Sequence, residues 1–206
     1  MSDRFDVTEI EERARTAGYQ DGLIELFAAV VLITIATMWI ASPALVGIAA
    51  AFIVLYGWRV VERVKERLTY PRIGYFQERP DAPDTTGRGM LIFMAFSFAL
   101  MVAAVAISGG ITDAVEWRRA APLMPGVSLA GAFWYTGDRS GFLRHKVIAV
   151  FSAASGIFLW LVGSGETYEA VVWHLIGVAA PLAAIGTWGL IHFLRTHPVQ
   201  DGPVDV

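Results

Sequence analysis

Residues 22–41 run for twenty positions with one charge, Glu25, close to the start. A helix needs about 20 largely apolar residues to cross ~30 Å of hydrocarbon. Inside that layer only a helix or a closed barrel satisfies its own backbone, so the run is read as a spanning helix. It does not have the form of a cleavable leader. The residues before it mix Asp3, Asp6, Glu9, Glu11 and Glu12 with Arg4, Arg13 and Arg15, whereas a signal peptide pairs a short basic start with an apolar stretch of about 7–15 residues. The helix is therefore expected to remain in the protein.

Composition extends the argument to the whole chain. Of 206 residues 55% are hydrophobic and 17% charged, with a mean hydropathy of +0.53, which is more apolar surface than one soluble core can hide. Five further apolar runs, 43–58, 89–108, 121–136, 147–162 and 170–194, predict an all-α membrane protein of six transmembrane helices arranged as three hairpins. The count falls to five if 121–136, short and opened by Pro122 and Pro125, does not fully cross. Counting 121–136 as a crossing leaves only Arg118 and Arg119 of the 16 basic residues on one side. Basic residues collect on the cytoplasmic side of a membrane, so both termini and the loops 59–88 and 137–146 are expected in the cytosol. The chain then forms one polytopic domain, 1–206, with a cytoplasmic segment 1–20.

Several chemistries are absent. Zero cysteines rules out disulfides, thiolate metal sites and cysteine nucleophiles. The basic residues follow topology rather than a groove-binding face, so no nucleic acid is expected. No HExxH or spaced Ser–His pairing occurs, and Gly-Ser-Gly-Glu at 163–166 has no acid–base partner nearby in sequence; no enzyme activity and no cofactor are expected. The expected partners are the lipid bilayer and either another membrane protein or a second copy of the chain.

Residues 69–79, Thr-Tyr-Pro-Arg-Ile-Gly-Tyr-Phe-Gln-Glu-Arg, stand out in the cytoplasmic loop. The second helix is expected to project past the membrane over 59–68, about three turns, with Val61, Val64 and Leu68 on one face. Pro71 should end it by forcing Tyr70 extended, and Gly74 permits a second change of direction. Tyr70, Arg72 and Tyr75 have the make-up of an interfacial anchor. Either they seat the projecting helix, or they form a docking site for a partner or lipid headgroup with Arg72 as the anion contact. The segment 79–89, rich in Pro and Asp, reads as a linker.

Tyr70-Pro71-Arg72-Ile73-Gly74-Tyr75 after a helical hairpin, with Asp21-Gly22-Leu23 and Glu25 opening the first helix, resembles a group of uncharacterised bacterial multi-pass membrane proteins. The resemblance covers roughly residues 19–76 and implies a bacterial inner-membrane address, with no activity attached.

Asp21 and Glu25 lie four residues apart, on one face at the start of the first helix, and form the candidate ion or proton site. Asp21 serves as a helix cap. Glu25 lies deeper and needs a cation, with Arg59, Arg88, Arg144 and Lys146 at matching level, or a proton. The entry Tyr19-Gln20-Asp21-Gly22 is echoed before the fifth helix by Tyr135 to Gly141, a faint sign of repetition. His174 and His192 share one face of the last helix and His145 lies level with His192, which admits a haem-binding subunit; the alternative places the histidines at the level of loops and headgroups. Pairs four apart, Gly47 and Ala51, Gly126 and Ala130, Ser152 and Gly156, Ala179 and Ala183, predict close helix approach. Met90, Met94 and Met101 read as packing, and Pro181 as a kink. Two functions follow. The first is a non-catalytic membrane component, an accessory subunit, scaffold or sensor acting through its cytoplasmic loop. The second is a small proton- or cation-coupled transporter or channel using Asp21 and Glu25, disfavoured because the middles of the central helices offer little beyond serines.

Overall fold

The computed structural model describes residues 19–73, 114–163 and 168–198, with positions 99 and 106 alone between them. Among these residues every regular element is helical: α1 Leu23–Ala41, α2 Pro43–Leu68, α3 Tyr70–Ile73, α4 Ala114–Ala120, α5 Leu123–Ser140, α6 Leu143–Val162 and α7 Glu169–Thr196. Three of them, α1, α6 and α7, are long and apolar enough to cross a membrane. The predicted run 89–108 lies outside the described residues, as do Arg88, Gly74, Tyr75, Phe76 and the linker.

The boundaries follow local chemistry. Ser42 is extended (φ −166°, ψ 110°) between α1 and α2, the conformation a following proline imposes, and Pro43 then occupies the first turn, where a missing N–H costs nothing. α2 runs unbroken to Leu68, so the helix expected over 59–68 is continuous with the second apolar run. Its buried face is Val61, Lys65 and Thr69, with Val64 and Leu68 only half-buried. The face is turned from the expected one and brings Lys65 to the side of Asp21.

Two expectations are corrected here. Pro71 does not force Tyr70 into an extended form: Tyr70–Ile73 is a short helical turn. Thr69 O accepts N–H bonds from Arg72 at 3.0 Å and Ile73 at 3.2 Å. Pro71 thus stands in a first turn, where its lack of an N–H is harmless. The fourth run is also longer than expected, because α5 continues past Thr136 to Ser140. Gly137 allows the extension by letting Lys146 and His145 pack against its backbone.

α7 is the centre of the bundle. Val171, Leu175, Val178 and Leu182 form a buried stripe along it, facing Ala29, Leu32 and Ala36 of α1, Phe133 of α5, and Ile148 and Ala149 of α6. That spacing of three and four residues holds one helical face. Val30, Ile33, Val147, Phe158, Trp173 and Trp188 point outward and are exposed, as lipid-facing positions are. Closest approaches occur at small residues. Ser152 Oγ donates to Gly126 O at 3.1 Å, and a methyl group on Gly126 would lie 3.0 Å from Gly156 Cα. The predicted small-residue contacts at Gly126, Ser152 and Gly156 are therefore one α5–α6 seam. α7 passes through Pro181 as a continuous helix.

Candidate functional site

α1 and α6 begin in the same way. Gly22 and Gly141 adopt left-handed conformations, with φ of 68° and 72°, and each follows a side chain that caps the next residue but one. Asp21 Oδ1 accepts the Leu23 N–H at 3.1 Å; Ser140 Oγ accepts the Phe142 N–H at 3.3 Å. A left-handed glycine reverses the chain cheaply, and the side-chain oxygen satisfies an orphan donor at the helix start. The two entrances face each other, and from them the polar network is built.

Asp21 is fully buried. Thr69 donates its hydroxyl to Asp21 Oδ2 at 2.8 Å, tying the end of α2 to the start of α1 across 48 residues of sequence. Lys65 Nζ stands 4.0 Å from the same oxygen and 5.7 Å from the centre of the Tyr19 ring. Burial raises the Asp21 carboxyl above its ordinary value; Lys65, the Leu23 N–H and Thr69 oppose the rise, and Glu25 adds to it. The expected cap is present, though it acts from one residue before the helix cap Gly22.

Glu25, one turn deeper, is 1% exposed. Its Oε1 lies 3.0 Å from His145 Nε2 and 2.8 Å from Arg144 Nε. The Arg144 N–H is not aimed along that line and makes no hydrogen bond, so the contact is an ion pair by proximity. Arg144 is steadied elsewhere, donating from Nη2 to Tyr19 O at 2.6 Å and stacking over Phe142 at 4.5 Å. His145 Nδ1 lies 2.9 Å from Ser140 Oγ. An ionised carboxylate can only accept, so the imidazole donates from Nε2, while its Nδ1 meets the Ser140 hydroxyl. Glu25 Oε2 has no hydrogen-bond partner.

Of the four cations considered for Glu25, Arg144 is the partner. Lys146 pairs with Asp138 at 2.6 Å, Arg59 lies over the Tyr56 ring at 5.5 Å, and Arg88 is outside the described residues. His145 and Ser140 were missed as partners of Glu25; the place of His145 directly after Arg144, a cation considered for Glu25, was the available signal. The expectation that the histidines sit among loops and headgroups fails for two of them. His145 and His174 are both buried, the second against Ser155 at 3.0 Å. The haem arrangement is not assembled among the described residues: both His145 nitrogens are engaged, and His192 is exposed. Nor does any group of three His, Asp or Glu side chains stand ready for a metal among them.

Two of the three hook residues can be placed. Tyr70 donates its hydroxyl to Glu62 at 2.6 Å, and Arg72 Nη1 donates to His197 O at 2.7 Å. The second contact puts a cation on the carbonyl end of α7, where the helix dipole favours it. This is the geometry of a seat. Arg72→Ala is expected to lower stability by about 1 kcal/mol, as loss of one partly exposed charged hydrogen bond does, with insertion unchanged. Thermal melting in detergent checks it, and an unchanged melting curve would show that the contact holds nothing.

No protein-family model, no curated protein and no solved structure matches this chain.

Proposed function

We propose that the protein is a non-catalytic integral membrane component, an accessory subunit, scaffold or sensor that acts through its cytoplasmic loop 59–88. In this reading it crosses a bacterial inner membrane six times, residues 121–136 included, with both termini inside. The carrying observation is that each of the two buried carboxylates of the described residues has one oxygen held by partners on another element, Glu25 Oε1 by Arg144 and His145, Asp21 Oδ2 by Thr69. Charges committed in this way hold helices in register and are not offered to a passing ion. The one-sided arrangement of basic segments also finds support. Residues 19–25, 65–73, 140–146 and the end of α7 meet at one end of the bundle through the Asp21–Thr69, Glu25–His145 and Arg72–His197 contacts.

Topology is tested first. A cysteine at Gly165 is expected to react with an impermeant reagent on intact cells, and one at Asp84 to stay unlabelled until the cells are opened; the reverse pattern sinks the arrangement. The functional test replaces residues 74–88 by a Gly/Ser linker of equal length. Insertion should persist while the partners recovered from native membranes by chemical crosslinking are lost. Equal recovery from both proteins removes the loop from the proposal.

A second reading, a small proton- or cation-coupled transporter, rests on the unpartnered Glu25 Oε2 beside the His145–Ser140 chain. It requires ion-dependent uptake in reconstituted vesicles that Glu25→Gln abolishes.

A further inference from the structure

Arg59, Arg63 and Arg67 recur every four residues along α2 and so form one face, with about 6 Å of rise between neighbours. All three are exposed. Arg59 lies over the Tyr56 ring, whereas Arg63 and Arg67 make no hydrogen bond or ion pair with any described residue. The acids of the same segment do not neutralise them: Glu62 accepts the Tyr70 hydroxyl at 2.6 Å, and Glu66 is exposed and forms no ion pair with either arginine. One position on from each arginine, Val60, Val64 and Leu68 make a parallel apolar strip. Val60 is 51% exposed, and the strip lines one groove together with Arg63, Glu66 and Arg67.

Two contacts with α1 set the depth of this face. A methyl group on Gly57 would touch the Phe27 ring, and Thr69 bonds Asp21. The segment between them therefore stays level with residues 21–27, where the apolar span of α1 begins at Leu23. At such an edge hydrocarbon gives way to ester and phosphate groups within about 5–7 Å. We propose that Arg63 and Arg67 hold the phosphate of an anionic phospholipid whose first acyl carbons lie on Val60 and Val64. The proposal rests on the reading of the chain as an integral membrane protein, and it deepens the role given to loop 59–88 by naming a partner for its first residues. A guanidinium offers paired N–H donors that match two phosphate oxygens. A soluble anion or an acidic peptide would answer the arginines and leave the apolar strip bare; a phospholipid answers both strips and is the molecule present at this level. A basic face beside an apolar one is also the pattern by which helices bind anionic membrane surfaces.

The test titrates the full chain, in a neutral detergent, with phosphatidylglycerol or with phosphatidylcholine and counts bound lipid by native mass spectrometry. The parent is expected to prefer phosphatidylglycerol. Each basic residue near an anionic surface contributes about fivefold in affinity, so Arg63→Gln and Arg67→Gln should each weaken binding by about that factor and the double variant by about 30-fold. Arg195→Gln removes another exposed cation at the same end of the bundle and should change nothing; Glu66→Gln should strengthen binding. If the double variant does not insert, the single ones decide. Equal binding of the two lipids by the parent overturns the proposal, as does a loss in Arg195→Gln as large as in Arg63→Gln. Glycerol phosphate binding as tightly as the lipid also overturns it, because the valines would then take no part. The site lies within 59–68, outside the exchanged segment 74–88, so lipid binding and partner recovery can fail separately.

Discussion

Glu25→Ala is expected to destabilise the detergent-solubilised protein by about 3–5 kcal/mol, the range for removing one member of a buried ion pair. The lower end is the better expectation. The Arg144 side chain keeps 26% exposure, so its guanidinium regains some water once Glu25 is gone. His145 has no such escape: it is fully buried, and its Nε2–H would face a hole, a loss of about 1–3 kcal/mol in itself. Glu25→Gln should cost less, about 2 kcal/mol, because an amide oxygen still accepts from His145 while the ion pair is lost. In Arg144→Ala the carboxylate is left buried without its guanidinium, and Glu25→Gln added to that variant should restore part of the stability. Melting temperatures of the four variants, the double one included, and of the parent check this. A Glu25→Ala protein that melts with the parent would end the account of Glu25 as a structural tie.

Gly22→Ala is expected to be at least as damaging. Gly22 is left-handed, which costs another residue about 1–2 kcal/mol, and an added Cβ would collide with Gly186 O and fall 3.0 Å from Leu190 N. Those atoms are backbone of α7 and cannot swing aside, so α1 and α7 must part along the main seam of the bundle. Gly186→Ala meets the same wall from the other side, at 2.7 Å from Leu26 N and 2.8 Å from Gly22 O. Two controls separate the causes. Gly141 has a φ of 72° with nothing within 4 Å of a Cβ, so Gly141→Ala should show the conformational cost alone, about 1–2 kcal/mol. Gly177, inside α7 with the same free space, should accept alanine with no loss, and a gain of up to about 1 kcal/mol is available from helix propensity. If Gly22→Ala and Gly141→Ala melt alike, the close approach of α1 to α7 carries no energy.

What the sequence determined by itself was everything that depends on one element at a time. A run with one charge in twenty residues has to be a helix in an apolar solvent, and Ser42-Pro43 has to break it where it does, because both rules are local. The extension of α2 to Leu68, the Asp21 cap and the need of Glu25 for a cation were legible on the same ground. What only the tertiary structure decided was which helices meet. Arg144 was one of four basic residues at a plausible depth, and nothing in chain order separates it from Lys146, two residues on. The separation comes from helix rotation: Arg144 and His145 turn toward α1, while Lys146 turns to Asp138. The same holds for His145 and Thr69, whose partners lie 120 and 48 residues away. Pro71 shows the converse. Its restriction on Tyr70 is a local preference of the chain, and the turn built on the Thr69 carbonyl outweighed it once Asp21 had fixed the Thr69 side chain. Small residues set how near two helices can come, but only the packed bundle places Gly22 against Gly186, because that contact joins backbones separated by 164 residues of chain.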